Sequence, residues 1–159
     1  MKKKSIAKAI FLAVAGISPY AQAKAVPIKL AALAEKDAPS GCSCAVRNKK
    51  NEIIVYSDLE SKSLATININ GTSTKLKLIS TTDKGGKERK GNTFTNLYGN
   101  EKTRLNLKYT TVRVCAEKDE SCEVTKYSVN LLLEDNINKK GEDYPNKSEL
   151  VGLAADCGC

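Results

Sequence analysis

The chain has 159 residues, with 26 Lys and Arg against 18 Asp and Glu, six cysteines, no tryptophan and no histidine. Without histidine, imidazole acid–base work, His-based nucleophile triads and His-liganded metals are excluded. The net charge of +8 favours an anionic partner at first sight, but its densest block sits in the first residues, apart from everything that patterns as a domain.

Three lysines open the chain, an apolar run from Ile6 to Ile17 follows, and Pro19 and Ala21-Gln22-Ala23 come next. A charged start, a short apolar run and an Ala-x-Ala end are what export machinery reads, and the run is too short to span a bilayer. Residues 1–23 are therefore expected to be a signal peptide, and the rest to be periplasmic or secreted. Lys2, Lys3, Lys4 and Lys8 leave with it and no acid does, so 26 bases become 22 against an unchanged 18 acids, and +8 becomes +4. That removes the electrostatic case for a nucleic-acid partner. No second long apolar stretch follows, so no transmembrane segment is expected after signal removal.

Residues 24–40 are alanine-rich, with Pro27 and Pro39 as breakers. Ile28, Leu30 and Leu33 allow a short helix that Pro39 ends, and the segment reads as a loosely attached leader before a single β domain over residues 41–159. Cys42, Cys44 and Val46 fall on one face of a strand, because side chains alternate with a period of two. Asn48-Lys49-Lys50-Asn51 is a turn, and Glu52 to Tyr56 returns as a strand. Ile67 and Ile69 alternate with asparagines, and Leu76 and Leu78 with lysines. Between these runs lies Asn70-Gly71, which supplies the two positive-φ positions of a type I′ hairpin turn.

Thr81 to Gly91 is glycine-rich and charged. Lys84, Lys87, Arg89 and Lys90 form a candidate anion-contact loop, set against the simpler reading of a solvated mobile loop; no aromatic is interleaved to stack a base. Asn92 to Tyr98 is a further strand, and Thr103 to Ala116 pairs with Cys122 to Glu134 as a long hairpin. The apolar parity changes near Thr110-Thr111 and near Thr125-Lys126, so with Cys115 opposite Cys122 both strands bend together, as at a barrel corner or between packed sheets. Asp135 to Ser148 is a polar loop, and Leu150 to Cys159 ends the chain as a short apolar strand. The fold class expected is all-β: a small antiparallel β-barrel or sandwich built from hairpins, with a mainly aliphatic core.

An even number of cysteines in an exported chain predicts disulfides among Cys42, Cys44, Cys115, Cys122, Cys157 and Cys159. Cys115 with Cys122 is local. The two Cys-x-Cys pairs allow Cys42 with Cys159 and Cys44 with Cys157 if their strands run antiparallel, or the crossed pairing if parallel. Two alternatives use the same sulfurs: a thiolate site for copper or zinc at Cys42, Cys44, Cys157 and Cys159, or an exchangeable Cys157–Cys159 bridge working as a redox couple. The paired carboxylates Glu117 with Asp119 and Glu142 with Asp143 lie in polar loops with nothing apolar to raise a pKa, so no catalytic residue and no cofactor is expected.

With the export signal, the Asn70-Gly71 hairpin between Ala65-Thr-Ile-Asn-Ile and Lys75-Leu-Lys-Leu, and the strand Thr93-Phe-Thr-Asn-Leu-Tyr98, the chain resembles the bacterial periplasmic and membrane-bound inhibitors of c-type lysozyme. The resemblance covers about half of the exported chain. It implies a disulfide-bearing β-barrel that acts by binding another protein of the envelope. The Ser-Gly-x-x-Tyr loop by which that family engages lysozyme is absent, so the resemblance implies no binding residue here.

Overall fold

The structure, a computed structural model, describes residues 28–59, 64–115, 124–135 and 146–159. The expected signal peptide, Cys122 and the loop acids Glu117, Asp119, Glu142 and Asp143 lie outside the described residues.

The strands are β1 (Leu30–Ala31), β2 (Ser43–Arg47), β3 (Ile53–Asp58), β4 (Leu64–Ile69), β5 (Thr72–Thr81), β6 (Thr93–Gly99), β7 (Thr103–Arg113), β8 (Val124–Asp135) and β9 (Asn146–Gly158). From β2 to β9 each strand pairs antiparallel with the next, and β9 returns to pair with β2. The result is a closed eight-stranded up-and-down barrel, the arrangement that removes unpaired sheet edges. Its interior is filled by the inward set of each strand, with Val46, Val55, Ile67, Leu76, Leu105, Leu107, Val129 and Leu133 fully buried. Outward positions such as Lys75, Lys77, Lys108 and Lys126 are exposed. A barrel that is apolar inside and charged outside has the reverse polarity of a membrane barrel. Among the described residues no helix is long and apolar enough to cross a membrane.

Local chemistry explains the turns. Asn70 (φ 51°) and Gly71 (φ 88°) sit between the facing residues Ile69 and Thr72, forming the expected two-residue turn. At the preceding hairpin the Asn48 side chain accepts from the amides of Lys50 (2.9 Å) and Glu52 (3.0 Å), while Asn51 takes φ 64°.

Three expectations are corrected. The leader is not loose from Ile28 onward. The β1 strand pairs with Asn68 and Ile69 of β4, the Leu33 amide donates to the Ile53 carbonyl (2.8 Å), and the Asn68 side chain donates to the Ala32 carbonyl (3.1 Å). This segment fills the place beside β4 that β3 vacates, and a single 3₁₀ turn at Glu35–Asp37 is its only helix. Secondly, the last strand is long: β9 begins at Asn146, inside the stretch expected to be loop. Thirdly, Arg113 faces Lys126, where the register with Cys115 opposite Cys122 places Val124; the bend lies in β7 alone, with Val112 bulged out while Lys126 and Tyr127 remain consecutive partners. The core is mainly aliphatic, as expected, with an aromatic cluster added at one end. There Phe94 stacks on Tyr109 (centroids 4.7 Å apart, 10° between planes), and Tyr127 meets both edge-on at 5.7 and 5.6 Å.

Two further bulges, in β5 and β9, follow the same rule as Val112, whereas the one in β3, between the partners of Val46 and Arg47, leaves Ile54 buried. Leu78 faces Tyr98 and Ser80 faces Leu97, leaving Ile79 out; Val129 faces Leu153 and Leu131 faces Leu150, leaving Val151 and Gly152 opposite Asn130. Ile79, Val112 and Val151 are the exposed large apolar residues of the described chain, at 51, 47 and 59 %. Each is expelled because one extra residue on a strand turns its side chain off the buried face.

Candidate functional site

The seam between β2 and β9 is the single contact of the ring that no hairpin makes, and both described cross-strand bridges lie there. Cys44 faces Cys157 in antiparallel register, and the bridges join Cys44 to Cys157 and Cys42 to Cys159. This is the antiparallel member of the two stacked pairings allowed by the sequence. Cys115 is also disulfide-bonded, and Cys122, expected as its partner, lies outside the described residues. With all four sulfurs of the Cys-x-Cys pairs oxidised, the copper or zinc thiolate set is not formed. The exchangeable Cys157–Cys159 bridge is corrected too: one strand face projects both sulfurs toward the neighbouring strand, where each finds a partner. Disulfides of this kind are consistent with an oxidising compartment.

The inner bridge borders a cavity of about 260 Å³ at the aromatic end of the barrel. Leu59, Leu78, Phe94, Tyr98, Tyr109 and Tyr127 give it apolar walls. Along one side runs a chain of polar groups: the Asp83 amide donates to Thr81 Oγ1 (3.0 Å), Thr81 donates to Asn96 Oδ1 (2.6 Å), and the Asn96 amide donates to the Tyr98 hydroxyl (3.2 Å). Three carboxylates, Asp58, Asp83 and Glu88, border the same space, and no lysine or arginine does among the described residues.

Glu88 comes from the glycine-rich segment between β5 and β6, which is not a free loop. At one flank Thr82 exchanges hydrogen bonds with Thr95 (2.9 and 2.8 Å). At the other, Gly91 and Asn92 bond with Thr111 (2.8 and 2.9 Å). Glu88, half-buried where its neighbours are exposed, accepts a hydrogen bond from the Tyr127 hydroxyl across the top of the aromatic cluster. The expected anion-contact residues are on this segment but do not border the cavity. Lys84 and Lys87 border an adjoining hollow that shares Asp83, Glu88 and Phe94 with it, while Lys87, Arg89 and Lys90 border another with Glu88, Val112 and Arg113. They are not gathered onto one point.

Burial pushes all three cavity tyrosines above the ordinary phenol value of 10.0. For Tyr127 the hydrogen bond to Glu88 and the charges of Glu88 and Asp83 add to burial. For Tyr98 the hydrogen bonds from Asn96 and Ser57 work against burial, while the charge of Asp58 raises it further. Ser57 eases the rise at Tyr109 as well, yet nothing stands in hydrogen-bond geometry with the Tyr109 hydroxyl, whose oxygen is buried and unpartnered. All three phenols therefore stay protonated at neutral pH and serve as hydrogen-bonding groups.

Tyr109, Tyr127, Phe94 and Glu88 were not among the sequence candidates. Tyr109 and Tyr127 share the inward parity of their strands, which was a usable signal; their meeting with Phe94 depends on the register, and Glu88 carries no mark in the sequence.

Fold and site together define a closed antiparallel β-barrel with a disulfide-bridged seam and an aromatic, acid-rimmed cavity at one end. Set against protein-family models, curated proteins and solved structures, the chain matches none.

Proposed function

We propose that this protein is a non-catalytic binding protein of the bacterial envelope, periplasmic or secreted, that holds its partner at the aromatic end of the barrel. The observation that carries this reading is the cavity itself: a concave, mostly apolar space with a few convergent polar groups at the mouth of a barrel, the usual setting of a binding site. Its polar groups are phenols held neutral, hydroxyls, an amide and carboxylates, without a base poised against a nucleophile. The inhibitor-type action implied by the lysozyme-inhibitor resemblance is one form of such binding, with an envelope protein as partner.

The test uses the full chain expressed with residues 1–23 in place. It is expected in the periplasmic or extracellular fraction, shortened after Ala23, with no titratable thiol. Purified natively from that fraction, it is expected to retain a bound mass that Phe94→Ala releases. Recovery of uncut chain from the cytosol, or a wild type and variant that carry identical masses, overturns the proposal. Four free thiols with bound copper or zinc would move the reading to metal handling.

A further inference from the structure

We propose that the cavity takes a small organic cation: a protonated amine on a compact apolar or aromatic body. The inference rests on the binding-protein reading and specifies its ligand.

Charge is the first ground. In a basic chain, +4 once residues 1–23 are removed (22 Lys and Arg against 18 Asp and Glu), the charged residues bordering the cavity among those described are Asp58, Asp83 and Glu88, all acidic. The four cations of the segment that supplies Asp83 and Glu88 border adjoining hollows that share these acids, and none of the four borders the cavity itself. An acidic lining disfavours an anion in the cavity and favours a cation.

The walls are the second ground. The aromatic rings of Phe94, Tyr98, Tyr109 and Tyr127 line the cavity, a setting in which an ammonium drawn out of water is favoured near a ring. An apolar body attached to that ammonium covers Leu59 and Leu78. The volume of about 260 Å³ lies just under the range of roughly 300–1,000 Å³ typical of small-molecule sites, so the ligand is small.

The third ground is independent of both. The Tyr109 residue is 1 % exposed, and its hydroxyl has no partner, although Ser57 and Tyr98, which line the same space, lie beside it. A buried hydroxyl without a bond is costly, and natural folds rarely keep one without use. An ammonium brings up to three N–H donors, one of which the Tyr109 oxygen can accept while others reach a carboxylate. A neutral apolar ligand would leave that oxygen unpaired and dehydrate the carboxylates as well.

The experiment titrates the oxidised full-length exported protein with three probes of matched size: phenethylammonium, 2-phenylethanol and 3-phenylpropionate. Calorimetry is expected to show the ammonium binding at least about tenfold more tightly than the alcohol, and the carboxylate not binding. Glu88→Gln, which retains a group able to accept from Tyr127, is expected to weaken the ammonium about tenfold while leaving the alcohol unchanged. Tyr109→Phe is expected to weaken the ammonium while raising the thermal midpoint of the ligand-free protein. Equal affinity for ammonium and alcohol, or preference for the carboxylate, overturns the cation assignment and leaves a binding cavity standing. Binding of none of the three by correctly bridged wild type overturns the cation assignment, and the retained-mass measurement then decides whether the binding-protein reading falls with it.

Discussion

At the scale of single residues, the aromatic end is governed by what burial does to a phenol. Tyr98, Tyr109 and Tyr127 lose proton affinity on unfolding, since each is held above 10.0 in the fold. The stability that comes from keeping them neutral is complete below pH 10.0 and declines as pH rises above it. Alkaline denaturation followed by phenolate absorbance should therefore show Tyr98, Tyr109 and Tyr127 ionising above pH 10.0 together with loss of structure. Smooth titration of every tyrosine near pH 10.0 without unfolding would contradict this. Tyr109→Phe removes the unpartnered hydroxyl and keeps the ring that stacks on Phe94, so in the ligand-free protein it should stabilise by about 1 kcal/mol in urea denaturation. A residue that costs stability when the site is empty is a mark of function.

At the scale of strands, the bulges of β5, β7 and β9 shift the register and expel Ile79, Val112 and Val151. Replacing Val112 or Val151 by Lys should change stability by no more than about 0.5 kcal/mol, whereas Leu107→Ala should cost about 2–5 kcal/mol, both measured by urea denaturation. Gly152 carries the β9 bulge at φ 64° in open space, and its amide donates to the Asn130 side chain (3.1 Å); Gly152→Val should destabilise through the backbone alone, and Gly152→Asn should do so less. Much of this level was legible beforehand. Alternation placed the inward faces of β4, β5, β7 and β8, and Asn70-Gly71 announced its hairpin. The parity change before Val112 was visible too, but parity alone does not say which strand carries the extra residue, and the bend was assigned to both. The docking of the leader is not legible for a related reason: its residues show no alternation, and their partners, Asn68 and Ile53, are far along the chain. The aromatic cluster and Glu88 were hidden because three strands and a loop must be in register before they meet.

At the scale of the whole molecule, covalent closure lies at the seam that joins the first and last strands of the ring. The two bridges span sequence separations of 117 and 113 residues. In the chain-entropy picture one such loop contributes about 4–5 kcal/mol, and the second adds little because the loop is already shut. Removing either pair alone, as Cys42→Ala with Cys159→Ala or as Cys44→Ala with Cys157→Ala, should therefore cost much less than half of what removing all four costs. Additive losses in urea denaturation would instead show that each bridge acts through its own contacts.

The same seam sets an order of events. Because β9 alone can seal β2, a chain whose last strand has not yet docked carries two bare strand edges. Those edges are the places where a second unclosed copy would attach. Closure of the barrel thus waits on the docking of β9 and on the oxidation that forms the two bridges, and slowing the oxidant should accumulate cross-pairing, aggregation-prone intermediates rather than loosened barrels.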